Sequence, residues 1–178
     1  VRAVEATLKS NSLDPAFKAE AIMLPGEALI ADRLDVVDPD AIHAAREVLR
    51  KQLGSKLRDS LLRAHHLGGV EGHDLSPNAK GVRRLRTVAL SLLSAGGEGE
   101  AASLAKTQFD AADNMTDRQG ALGVLVSLQA PERQAALDAF YERFRDDALV
   151  IDKWFALQAA AQRADTVDQV VRLATHQD

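Results

Sequence analysis

The chain has no cysteine, so it can form neither a disulfide framework nor a thiolate metal site. That composition suits a reducing cytosol, and a cytoplasmic location is the expectation. Aromatic residues make up only 4% of the sequence, which argues against a fold built on aromatic and β-branched strands. No run approaches the roughly 18 apolar residues that a membrane span needs, and no signal-peptide pattern opens the chain, so a soluble protein with no membrane partner is expected. An excess of positive charge is missing as well. The net charge of -4 offers no general attraction to phosphate backbones, and no nucleic-acid partner is expected.

What is present is an Ala- and Leu-rich chain of 178 residues with 46% hydrophobic content, enough for one domain with a substantial core. Small and unbranched side chains of this kind favour helices, so the expected fold class is all-α, with no strand. Val1, Val4 and Leu8 read as a helix already under way, and the chain stops at Asp178 just after another helical pattern. One all-α domain over 1–178 is expected, an excised N-terminal part of a larger C-terminal helical domain.

Between Ala41 and Ala64 the residues Ile42, Ala45, Leu49, Leu53, Leu57, Leu61 and Ala64 recur three or four apart, which predicts one long amphipathic helix. Asp38-Pro39 marks its start, an N-cap acid followed by proline at the first helical position. Asp14-Pro15 and Ser76-Pro77 repeat the device, Ala130-Pro131 uses the proline alone, and Pro25 reads as a terminator. Further helices are predicted over 78–95, 99–112, 117–129, 132–145, 148–163 and 167–175. Asp117-Arg118-Gln119-Gly120-Ala121-Leu122 is echoed by Glu132-Arg133-Gln134-Ala135-Ala136-Leu137. Paired helices at this spacing make units of about 30 to 35 residues, the period of helical-hairpin solenoids of the HEAT or armadillo type. The tetratricopeptide pattern is not met.

The polar knot from Gln108 to Leu122 reads as a joint between helices rather than a site. Thr116 followed by Gln119 has the spacing of a capping box, with Asp113 and Asn114 ending the previous helix. Gly120 and Gly123 are expected to allow close backbone approach. Other polar groupings read in the same way. His65, His66, Glu71, His73 and Asp74 are close in sequence, yet adjacent histidines point about 100° apart on a helix, and the Leu67-Gly68-Gly69-Val70 exit fixes no ligand geometry. A solvated helix end is expected, and no metal. Gly96-Gly97-Glu98-Gly99-Glu100 lacks the spacing of a phosphate loop and reads as a helix C-cap with a hairpin turn. Lys80, Arg83 and Arg84 form a solvated face, while Arg86 sits at the margin of the apolar stripe and should be partly buried and paired. No serine lies in a nucleophile elbow, no catalytic residue is assigned, and substrate-binding residues remain unknown. Val150, Trp154, Leu157 and Ala161 form one apolar stripe, which predicts a buried Trp154 that anchors the last helical pair.

Four strings carry a family resemblance: Leu34-Asp35-Val36-Val37-Asp38-Pro39, Lys106-Thr107-Gln108-Phe109, Asp113-Asn114-Met115-Thr116-Asp117 and Leu149-Val150-Ile151-Asp152-Lys153-Trp154-Phe155-Ala156-Leu157-Gln158. In order and across nearly the whole chain, they resemble the C-terminal helical domain of bacterial aminopeptidase N, the zinc-dependent alanyl aminopeptidase of the gluzincin class. The resemblance implies a parent metalloprotease that removes N-terminal amino acids from peptides, with zinc held by H-E-x-x-H and a distant Glu. None of those functional residues has a counterpart here. The resemblance therefore implies a non-catalytic scaffold or lid segment with no cofactor of its own, whose partners are the other domains of the parent and, in the parent, its peptide substrates. An independent helical-repeat interaction module is the alternative, which predicts an exposed apolar patch. A small-molecule-binding helical domain is another, which predicts an apolar pocket with convergent polar groups.

Overall fold

The computed structural model describes residues 1–68 and 73–176, and within them every regular element is a helix. Two compact units divide the chain, Val1–Gly97 and Glu98–Asp178. The first holds α1 (Arg2–Lys9), α2 (Pro15–Ile22), α3 (Glu27–Ala31), α4 (Pro39–Lys56), α5 (Arg58–His65) and α6 (Pro77–Gly96). In the second are α7 (Glu98–Ala111), α8 (Met115–Leu125), α9 (Pro131–Phe144), α10 (Ala148–Ala159) and α11 (Thr166–Leu173).

The aspartate- and serine-proline starts are built as expected. Asp14 accepts from the Phe17 amide at 2.9 Å, Asp38 from Ala41 at 3.0 Å and Ser76 from Ala79 at 3.2 Å, so each satisfies a donor that the first helical turn leaves open. Around α6 the first unit is assembled: α2, α4 and α5 all pack on it, and it buries Val82, Leu85, Val88, Leu90, Leu92 and Leu93. Two close approaches set the spacing. A Cβ on Gly81 would lie 2.7 Å from the Ala16 nitrogen, and one on Gly54 would lie 2.7 Å from the Gly96 nitrogen. Backbone meets backbone at the α4/α6 crossing because both residues there are glycine.

Two expectations fail in this unit, and one helix, α3, has no sequence-based counterpart. The long helix over 41–64 is broken at Leu57, whose φ of -111° and ψ of 16° turn α5 away from the axis of α4. Leu57, Leu61 and Ala64 are buried on both sides of the break, so tertiary packing overrides the continuous period. Helix α3 had no periodic signal, since a segment of five residues is too short to show one. Arg83 was assigned to a solvated face. It is 4% exposed and donates from Nη2 to the Asp74 carbonyl at 2.7 Å, next to the capped start of its own helix.

In the second unit each helix packs on the next, α7 on α8, α8 on α9, α9 on α10 and α10 on α11. Leu122, Leu125, Leu137 and Phe140 are fully buried. Trp154 is buried, as its stripe predicts, and its indole N–H donates to the Leu137 carbonyl at 3.0 Å. The stripe itself is offset. Ile151 and Gln158, rather than Val150 and Leu157, share the buried face with Trp154 and Ala161. Gln158 is held there by donating to the Trp154 carbonyl and accepting from Gln169.

Candidate functional site

The knot at 108–122 is a joint, but its caps are not the ones the threonine suggests. Helix α8 begins at Met115, with Asn114 in extended conformation (φ -134°, ψ 157°) as N-cap. The Asn114 Oδ1 accepts from the Asp117 amide at 2.9 Å, and its Nδ2 donates to the Asp117 carboxylate at 3.0 Å. Thr116 lies exposed in the first turn. Gly120 is half-buried, and Gly123 meets only the end of the Leu157 side chain at ordinary contact distance. Gly123 therefore makes no close backbone approach, unlike Gly54 and Gly96.

Arg118 completes the joint. Nearly buried, it donates from Nη1 to the Phe109 carbonyl at 2.9 Å and from Nη2 to the Ala112 carbonyl, with its guanidinium over the Phe109 ring. It thereby satisfies acceptors that the C-terminus of α7 leaves open. Burial lowers its pKa, with Arg143 adding to the effect and Asp110 and Asp113 opposing it. Gln108 ties the same turn by donating to the Asp117 carbonyl at 2.9 Å.

The following turn repeats the arrangement. Arg133 donates to the Val126 carbonyl at 3.2 Å and Arg163 to the Leu128 carbonyl at 2.8 Å. Asp165 receives Arg163 through both carboxylate oxygens at 2.7 and 2.9 Å, and this bonding holds its carboxyl below the usual aspartate range. The sequence echo between 117–122 and 132–137 therefore has a physical content. In both copies the arginine reaches back to the carbonyls of the preceding helix end.

Of the histidine cluster, Glu71 lies outside the described residues. His65 is buried and rests edge-on against exposed His66, 5.2 Å between ring centres, so only part of that helix end is solvated. No group of three His, Asp or Glu side chains converges among the described residues. Gly96 ends α6 and Gly97 caps it, as read from sequence. Arg86 is half-buried. Lys80 and Arg84 are exposed, with Arg84 3.2 Å from Glu20. No described helix is long and apolar enough to cross a membrane.

Two concave surfaces, neither assigned in advance, lie on the first unit. An apolar groove of about 390 Å³ between α3 and α4 is lined by Leu24, Ile30, Leu34, Val36, Ile42 and Leu49. It exists because the first half of the α4 stripe is only partly covered: Ile42 is buried, while Leu49 remains 39% exposed. A second pocket of about 310 Å³, between α1, α2, α5 and α6, mixes an apolar floor with cationic side chains.

Consecutive helices that pack neighbour on neighbour, with arginines tying the turns, define a helical-repeat domain. The chain belongs to the family described as a domain of unknown function (DUF3458_C) with ARM repeats, whose family model matches residues 1–178. It is 37% identical to aminopeptidase N of Caulobacter vibrioides over 96% of its length and 34% identical to aminopeptidase N of Escherichia coli over 98%. The crystal structure of Legionella pneumophila aminopeptidase A in complex with aspartic acid matches with a TM-score of 0.83 at 26% identity, over 98% of this chain and 22% of that one. The resemblance to the helical domain of aminopeptidase N and the all-α repeat class both hold. The chain spans about a fifth of the length of each of these curated relatives, 20% in both cases.

Proposed function

We propose that the chain is a non-catalytic scaffold and lid segment of a zinc-dependent, cytoplasmic aminopeptidase that removes N-terminal amino acids from peptides. The observation that carries this reading is the match to aminopeptidase N over nearly the whole chain, confined to about a fifth of the relatives' length. The use of the buried polar side chains supports it. Arg83, Gln108, Arg118 and Trp154 all donate to main-chain carbonyls of their own unit, which is the work of a rigid frame. Zinc and the water-activating acid belong to the parent's catalytic domain on this reading. The other domains are this segment's partners, and peptides are the parent's substrates.

The test compares the 178-residue chain with the parent polypeptide. The chain should hydrolyse no aminoacyl anilide and retain no stoichiometric zinc after dialysis, while the parent does both. Aminopeptidase turnover by the chain alone would refute the scaffold reading. A parent whose preference between short peptides and longer chains is unchanged when this segment is removed would refute the lid.

The apolar groove favours a second reading, an independent helical-repeat interaction module. The flanking sequence separates the two, since an upstream H-E-x-x-H settles the aminopeptidase and its absence favours the module.

A further inference from the structure

The pocket between α1, α2, α5 and α6 combines an apolar floor with a cationic lining. Its floor includes Leu8 and Leu85, and its charged lining residues are Lys9, Lys18 and Arg63, with the Ser60 hydroxyl beside them. No acid lines it. Lys9 is matched by Glu5 at 2.5 Å. Lys18 and Arg63 have no carboxylate within ion-pair distance among the described residues, although Glu5 lies near enough to Arg63 to feel its charge: the Lys18 ammonium is 3.4 Å from the Leu8 carbonyl, and the Arg63 Nη2 donates to Ser60 Oγ at 2.9 Å. An ammonium carries three donors and a guanidinium five, so each keeps capacity for an acceptor supplied from outside. Several other cations of the unit are matched, Arg46 by Glu27, Arg50 by Glu47 and Arg84 by Glu20.

We propose that this pocket binds a small organic carboxylate with a short apolar tail, the carboxylate between Lys18 and Arg63 and the tail on Leu8 and Leu85. The volume, about 310 Å³, is at the low end of small-ligand pockets. A guanidinium presents paired donors that match both carboxylate oxygens. Apolar contact gives such a ligand its advantage over an inorganic anion, because the tail is withdrawn from water while the charge stays at the rim. The assignment is independent of the aminopeptidase reading and survives if that reading fails.

The test is a titration of the isotope-labelled 178-residue chain with hexanoate, followed through the amide and methyl resonances of Leu8, Ser60 and Leu85. Saturable shifts in the millimolar range are expected. Lys18→Met and Arg63→Met keep the apolar stems and should each weaken binding by about tenfold, with the rest of the spectrum unchanged. Hexylammonium should not bind, and inorganic phosphate should bind more weakly than hexanoate. Absent shifts, equal binding of hexylammonium, or hexanoate affinity unaltered in both variants would overturn the proposal. Phosphate binding as tight as hexanoate would overturn the role given to the apolar floor.

Discussion

Replacing Gly54 with alanine tests the packing of the first unit at its tightest point. The new Cβ would lie 2.7 Å from the Gly96 nitrogen, 2.9 Å from its Cα and closer still to the Leu92 carbonyl oxygen, where unstrained heavy-atom contacts are about 3.5 Å or more. Every atom it meets is main chain, so no rotamer change relieves the clash. Helices α4 and α6 must separate by about 1 Å, loosening Leu53, Leu92 and Leu93, and overpacking of this kind costs about 1 to 3 kcal/mol or more. Helix propensity acts the other way, favouring alanine by about 1 kcal/mol. With rigid neighbours on both sides the first effect dominates, and a net loss of about 2 kcal/mol is expected, a fall of roughly 10 °C in Tm for a cooperative unit of this size. Gly99→Ala is the control. Nothing lies within 4 Å of its Cβ position in α7, and it should stabilise by a few tenths of a kcal/mol to about 1 kcal/mol. Thermal unfolding followed by far-UV circular dichroism reads both. If Gly54→Ala leaves Tm unchanged or raises it, the backbone crossing of α4 and α6 is not formed.

At the joint, Asn114→Ala should cost about 1 kcal/mol and Thr116→Ala only a few tenths, and urea unfolding that reversed this order would restore the threonine as cap. Arg118→Ala should cost about 1 to 3 kcal/mol through the carbonyls left at the end of α7, and Arg118→Lys should recover little, because one ammonium does not span both acceptors. Full recovery by lysine in the same unfolding assay would show that charge alone matters. Trp154→Ala should cost about 3 to 5 kcal/mol by opening a cavity beside Tyr141 and Phe155. In the native chain, iodide should quench Trp154 fluorescence poorly, and efficient quenching would contradict its burial.

The elements that could be read from sequence are those whose signals are local. A cap acid or serine before proline names the first residue of a helix almost unaided, and Asp14, Asp38 and Ser76 all behave accordingly. A three-to-four residue period finds a helix but does not say whether its axis is continuous, so the break at Leu57 was invisible. That break depends on what α5 packs against. Nor does the period say which half of a stripe will be covered, and the apolar groove between α3 and α4 comes from that missing information. Leu8, Ser60, Arg63 and Leu85 stand on three helices and converge only through the tertiary fold, so no spacing in the sequence could have linked them.

The cap at the joint shows the same limit within a few residues. Asn114 with Asp117 and Thr116 with Gln119 are both plausible capping pairs, two residues out of register, and local propensity separates them by little. Burial decides between them. Starting α8 at Met115 puts Arg118 in the first turns, where its guanidinium reaches the Phe109 and Ala112 carbonyls while Asp117 offers its own carbonyl to Gln108. A start after Thr116 would shift the helix register and withdraw these ties from the end of α7, leaving buried acceptors unmatched at about 1 to 3 kcal/mol each. That exceeds any difference in capping strength between asparagine and threonine. The cap is thus set by the helix it follows as much as by the one it begins, and Arg133, which reaches back to Val126 from the start of α9, places the same constraint on the next turn of the repeat.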